Sequence, residues 1–263
     1  MTLQRTSLGP AEIRKLCRTG ALRGPTAGLA DGYVQTNLMI VPQSFAFDFL
    51  LFCQRNPRPC PLLEVLEAGN FTPRCAPGAD LRTDLPGYCI YEHGVRTQEL
   101  GDISSFWQDN LVSFLLGCSF SFESALVLGG IPLRHIDQKL NVAMYKTNLA
   151  CYPAGRMRGN MVVSMRPIKA GDVARAVEIT ARFPQVHGAP LHIGYPAGLG
   201  IEDLAKPDFG DPVRVLEDEL PLFWACGVTP QYVAEISRLP FCITQSAGKM
   251  LVTDLKNEST LPA

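Results

Sequence analysis

The sequence predicts an α/β protein. A larger layered α/β domain is built from both chain ends (1–114 and 196–263), with a smaller two-layer α/β subdomain inserted at 115–195. Three observations carry this. Extended apolar runs alternate with helix-like runs along most of the 263 residues, a length that can bury a substantial core. Pro221–Ala225 is apolar throughout and leads into Gly227, Thr229 and Pro230, which reads as a buried strand turning into a helix start. Between Asp109 and Arg134 the single charged residue is Glu123, and that run breaks near Gly117 into two buried segments.

Taken in order, Gly9-Pro10 opens a first helix with Ile13, Leu16 and Cys17 on one face and Gly20 as its stop. Tyr33–Val41 is strand-like, with Asn37 a polar interruption that either faces a site or caps a turn. Ser44–Arg55 is a strongly apolar helix stopped by Asn56-Pro57, and its aromatic stripe is core. Leu62–Leu66 and Gly87–Tyr91 read as strands, and a helix is expected from Ser105 to Leu116. After Gly117, Ser119 or Ser121 would cap a helix ending at Gly129, with Glu123 in its first turn. Asn141–Asn148 and Asn160–Arg166 form a strand pair, and Asp172 caps a helix that ends before Pro184. Strands are expected at His187–Ile193, Val213–Val215, Pro221–Ala225 and Phe241–Thr244, and Met250–Asp254 closes the fold.

Composition excludes several classes. Twenty-four basic residues against 25 acidic ones give a net charge of −1, so no global field favours nucleic acid or an anionic membrane. The 109–134 run is long enough to span a bilayer, but its four serines, three glycines and Pro132 favour two buried segments. Nine cysteines, an odd count without a C-x-x-C pair, read as reduced thiols of a cytoplasmic protein. Met1–Thr6 lacks the apolar core of a signal peptide. No phosphate-loop or dinucleotide fingerprint and no internal repeat occurs.

Chemistry concentrates at three places. Cys226 stands at a strand end beside a helix start, where Gly227 and Thr229 offer backbone N–H groups to an anion and the dipole would ease thiol ionisation. The same spacing also describes a well-capped turn with an inert cysteine. Cys118, Ser119, Ser121 and Glu123 crowd polar groups into a buried junction, although the nucleophile-elbow pattern fails at Ser121. Arg82 and Asp84, two apart, would share a side of an extended segment, either clamping a carboxylate or forming a local ion pair. His187 and His192 suit no zinc spacing, so an acid–base role fits one of them better than a metal.

Long stretches then carry a resemblance. Gly32–Asn37, Asn56–Glu64, Ala79–Pro86, Gly117–Glu123, Met144–Asn148, Val162–Pro167, Arg182–Pro190 and Phe223–Gln231 closely resemble the D-glutamate cyclase family, whose bacterial members carry hydro-lyase names. The resemblance covers nearly the whole chain and implies conversion of D-glutamate to 5-oxo-D-proline and water, formally a carbon–oxygen lyase reaction. Two positions depart from the family pattern: Gln245 stands where a His is common, and Tyr195 where an Asp is common.

Lactam closure by glutamate needs a carboxylate anchor, a base for the amine and an acid for the leaving oxygen; proximity can supply roughly 7–11 kcal/mol of the barrier. Arg82, oriented by Asp84, or Arg166 is the expected clamp, and the Thr229-Pro230 helix start, with Gly227 before it, a second anion site. Glu123 or His187 is the expected general base, Cys118 or Cys226 a polarised thiol, and Ser119, Ser121 and Asn148 complete the binding set. No metal or organic cofactor is signalled. The expected partner is a small carboxylate or amino acid, and a homo-oligomer is compatible with the sequence. Dehydration of another small hydroxy or amino acid, or an inactive carboxylate-binding relative, are the alternatives.

Overall fold

The computed structural model describes residues 8–260, arranged as two antiparallel sheets with helices packed against them. After α1 (Pro10–Arg18), β1 (Tyr33–Pro42) forms the middle of the larger sheet, because nearly every side chain on it is apolar or hydrogen-bonded and buried. α2 (Gln43–Arg55) follows directly and buries Phe45, Phe49 and Phe52 at helical spacing against Met39, Val41 and Phe114. β2 (Leu62–Leu66), β3 (Tyr88–Glu92), β4 (Val95–Leu100) and β5 (Leu111–Gly117) complete its first half.

The helix expected from Ser105 to Leu116 does not form: its first half is a 3-10 turn (Ser104–Phe106) and irregular chain, and its second half is β5, which pairs with β1 from Leu111 to Gly117 and with β2 on its other edge. A continuous apolar run carries no period, so a strand buried on both faces and a buried helix look alike in it. α3 (Phe120–Leu128) and the short α4 (Arg134–Asp137) follow. The 109–134 run is thus a strand and a nine-residue helix, and no helix among the described residues is long and apolar enough to cross a membrane.

The smaller sheet comprises β6 (Ala143–Ala150), β7 (Asn160–Lys169), β8 (His192–Ile193) and β9 (Glu219–Ala225), in the order β6-β7-β9-β8. α5 (Val173–Ala181) packs behind it; Asp172 precedes that helix without a side-chain capping bond. Two expectations change here. The apolar run Pro221–Ala225 lies in the smaller sheet, paired along β7, so that sheet extends past residue 195 and the boundary drawn there divides it. Val213–Val215 is not a strand; it is irregular chain leading into β9. The chain returns through α6 (Thr229–Ser237) to β10 (Phe241–Gln245) and β11 (Leu251–Lys256), which share one edge of β1: β11 along Tyr33–Thr36, β10 at Met39 and Ile40. Between α3, α5 and β9, Phe122, Leu126, Trp224 and Val186 join the two sheets through a common apolar layer.

Candidate functional site

The carboxyl ends of β5 and β9 meet beside the gap where β10 and β11 part on β1. At that gap Gln245 takes the place of a strand: its Oε1 accepts from the Leu38 N–H (2.7 Å) and its Nε2 donates to Asn37 Oδ1 (2.7 Å). Asn37 Nδ2 in turn donates to the Gly117 carbonyl (2.9 Å), which fixes the end of β5. Two glycines permit this closeness. A Cβ at Gly227 would collide with the Asn37 amide, and one at Gly117 with the Gln185 carbonyl.

Behind this junction lies a buried ionic cluster. α3 presents Glu123 from its first turn, and β7 presents Arg166 across the narrow space between α3 and the smaller sheet. Arg166 is wholly buried and donates to Glu123 Oε1 through Nε (2.9 Å) and Nη2 (2.5 Å), to Ser119 Oγ through Nη2 (2.9 Å), and to Ser164 Oγ through Nη1 (3.1 Å). These four bonds occupy four of the five guanidinium N–H groups, leaving one on Nη1. The rings of Phe122 and Trp224 each lie 5.4 Å from the guanidinium carbon. His135 of α4, also buried, donates from Nε2 to the same Glu123 oxygen (3.0 Å). Burial alone would raise the Glu123 carboxyl, but the charges of His135 and Arg166 and their hydrogen bonds outweigh it and hold the group below the usual carboxylate value. Glu123 Oε2 and His135 Nδ1 are buried without a hydrogen-bond partner among the described residues.

His187 is not on a strand. It follows a single 3-10 turn (Pro184–Val186) in a left-handed conformation, φ +88°, which turns its ring inward. Its Nδ1 lies 2.7 Å from the Arg58 carbonyl, an acceptor, so Nδ1 carries the proton and Nε2 presents a lone pair. Burial lowers its pKa to about 4, helped by the nearby charges of Arg166 and Arg58. The ring is therefore neutral near pH 7; its Nε2 makes no hydrogen bond of good geometry among the described residues, although the Gly117 backbone also acts on the ring and raises its pKa against the effect of burial.

The other expected residues divide. Cys118 and Cys226 pack together in one apolar cluster, but burial pushes the Cys226 thiol up to about 11 and Cys118 well above its ordinary value. The helix-start N–H of Val228 lowers Cys226 without reversing this, so both thiols stay protonated at neutral pH. The Thr229 hydroxyl donates to the Cys226 carbonyl (2.7 Å) and accepts from the Val162 N–H (3.0 Å), which ties β7 to the turn and leaves no hydroxyl proton for an anion. Ser121 does not cap α3; its Oγ accepts from the Gln35 N–H (3.0 Å) and secures α3 to β1. Ser119 bonds Arg166 in place of a cap.

Arg82, Asp84 and Asn148 do not join the cluster. Arg82 forks onto Asp80 (2.9 and 2.7 Å) and stacks over Phe71, while Asp84 accepts both arms of Arg18 (2.7 and 2.6 Å). The segment is turned, not extended, so two-residue spacing does not align the pair. Asn148 is exposed and reaches the Gly198 carbonyl at 3.4 Å. His192 bonds the Tyr195 carbonyl at the surface (3.0 Å). Sequence reasoning missed His135, whose signal is slight: one titratable ring in the apolar stretch that follows Glu123.

Known proteins are similar to this chain along nearly its whole length. A model of the D-glutamate cyclase family matches residues 112–254, which include Glu123, Arg166, His187 and Cys226. A protein of Stutzerimonas stutzeri (strain A1501) named "Putative hydro-lyase" is 60% identical over 252 residues, covering 95% of each chain. The similarly named YcsI of Bacillus subtilis (strain 168) is 54% identical, covering 96% of this chain and 98% of its own. A third such protein, from Geobacillus kaustophilus (strain HTA426), is 57% identical over 94% of each.

Proposed function

The chain belongs to the D-glutamate cyclase family, and from that premise we propose that it is a carbon–oxygen lyase that closes D-glutamate to 5-oxo-D-proline with loss of water. The reaction joins the amine nitrogen to the γ-carbon and breaks one γ carbon–oxygen bond. The ammonium gives up two protons and the leaving oxygen gains two as water, so the site must move protons without keeping any.

The single observation that carries this reading is the wholly buried Arg166, held by Glu123 and near enough to His187 for its charge to help keep that ring neutral. A buried guanidinium is a fixed positive centre that offsets the negative charge growing on a γ-carboxylate oxygen as nitrogen adds. Its one unengaged N–H is the donor available to that oxygen. His187 Nε2, unprotonated and without a hydrogen bond of good geometry among the described residues, suits the acceptor of an amine proton, and Glu123 with His135 supplies a carboxylate–imidazole pair able to return protons to the leaving oxygen. The Cys118 and Cys226 thiols serve as neutral lining, in keeping with their raised pKa values.

The test is a substrate panel on the purified chain: D-glutamate, L-glutamate, 5-oxoproline and small hydroxy acids, with products separated by chiral chromatography. Formation of 5-oxo-D-proline from D-glutamate, abolished in Arg166→Met, is the expected result. Dehydration of a hydroxy acid with D-glutamate inert would replace the substrate and keep the reaction class. Turnover of none of them would refute the enzyme reading.

A further inference from the structure

A recess of about 660 Å³ lies on the outer side of the ionic cluster, between β1, α3 and α4. Its walls are mostly apolar, from Leu29, Phe120, Leu133 and Phe183. Three buried polar residues also line it: Glu123 and Gln35, each with an acceptor oxygen without a partner among the described residues (Glu123 Oε2 and Gln35 Oε1), and Asn257, which donates to the Ser121 carbonyl (2.6 Å) and the Ser124 hydroxyl (3.3 Å). Gln35 has both amide hydrogens engaged by the Thr26 and Leu29 carbonyls (3.0 Å each), so its amide is fixed and its oxygen cannot be traded for the nitrogen. Three exposed carboxylates, Asp31, Asp137 and Glu258, stand at the mouth, and none is in an ion pair among the described residues. Among the described residues no lysine, arginine or histidine lines the recess, but the Lys256 ammonium lies 3.7 Å from the ring centroid of Tyr33, which does.

We propose that this recess is a second binding site, for a small organic cation with an apolar body, its ammonium set against Glu123 Oε2 and Gln35 Oε1. Acceptors without donors at the floor call for a ligand that brings N–H groups, because a buried oxygen left unpaired costs stability that such a ligand restores. Three carboxylates at the rim, none in an ion pair among the described residues, outnumber the nearby cations Arg134 and Lys256, so they attract a cation and repel a dicarboxylate such as glutamate. The apolar wall takes the hydrocarbon part, and the volume is that of a small-molecule site. The site shares Glu123 with the centre proposed for the reaction but differs from it in ligand charge, and its occupancy by a cation is tested by binding, without assuming that reaction.

Isothermal titration of the full chain with three isosteric probes tests this: phenethylamine, neutral 2-phenylethanol and anionic 3-phenylpropionate. Phenethylamine is expected to bind one-to-one, about tenfold or more tighter than either analogue, and to weaken with added salt. The surface variant Asp31→Asn/Asp137→Asn, which disturbs no buried contact, is expected to lose several-fold in amine affinity. Ala125→Trp, which fills the recess, is expected to abolish binding. Equal affinity for the amine and the alcohol, no saturable amine binding at millimolar concentration, or an amine affinity indifferent to both the double variant and salt would overturn the proposal.

Discussion

Replacing Glu123 by Gln removes one negative charge from a place with no water to compensate. Glu123 and His135 are within 2% of full burial and Arg166 is at 0%, so the loss leaves a guanidinium stripped of its counter-ion in an apolar layer between Phe122 and Trp224. Breaking a buried pair on one side typically costs about 3–5 kcal/mol, roughly two to three and a half orders of magnitude in the folding equilibrium. Urea unfolding followed by circular dichroism at pH 7 should show that loss. The companion Glu123→Gln/Arg166→Met should recover much of it, because apolar replacement of both partners removes the uncompensated charge. The pH dependence supplies a second arm. The Glu123 carboxyl is lowered in the folded state from its ordinary 4.5, so its contribution is present above that value and is lost as pH falls through the lower folded value. Glu123→Gln should lack this acid-side component. A destabilisation under about 1 kcal/mol in Glu123→Gln, with an unchanged acid profile, would refute the assignment of Glu123 as the charge that holds Arg166.

His187 titrates in a different window. Its pKa falls from 6.5 to about 4 on folding, so protonation favours the unfolded chain. Wild-type stability relative to His187→Gln should therefore fall as pH drops from 6.5 towards 4. At about 1.4 kcal/mol per pH unit the full difference approaches about 3 kcal/mol, readable from urea midpoints across that range. Gln245→Ala should leave the Leu38 N–H and Asn37 Oδ1 unpaired inside the sheet, at about 2–5 kcal/mol in the same assay. Gly227→Ala should cost about 1–3 kcal/mol and lower the melting temperature, since its new methyl displaces the Asn37 amide from Gly117.

What the sequence made legible followed from local pattern. β1, α2 and the β6–β7 pair carry either helical or extended signals bounded by Pro, Gly or Asn, and all three formed where expected. β5 did not, because Leu111–Gly117 has no polar residue at regular spacing to reveal its period. Pairing partners are a non-local property: nothing in Pro221–Ala225 says that it lies along β7 and not in the larger sheet. The site shows the same division. Glu123 and Arg166 each stood out alone, one as the sole charge in an apolar run, the other at the end of a strand. That they face one another across 43 residues of chain depends on the packing of α3 over the smaller sheet. Arg82 and Asp84 misled for the converse reason, since a tight turn gave Arg82 a nearer partner in Asp80.

The two departures from the family pattern now carry different weights. Tyr195 is exposed, and its carbonyl bonds only nearby surface groups, the His192 ring (3.0 Å) and the Gly198 N–H (3.1 Å), so nothing in the cluster depends on that side chain. Gln245 sits at the centre of the junction, and its amide reproduces what a strand's peptide group would offer to β1, one acceptor and one donor. An amide does this without a titratable proton. Whatever a His would contribute there to proton transfer, this chain does not have at position 245. Nor do the junction thiols compensate, because burial keeps both protonated at neutral pH. The reaction proposed above therefore draws its proton transfers from other groups, the Nε2 lone pair of His187 and the Glu123–His135 pair, and that proposal stands or falls with them.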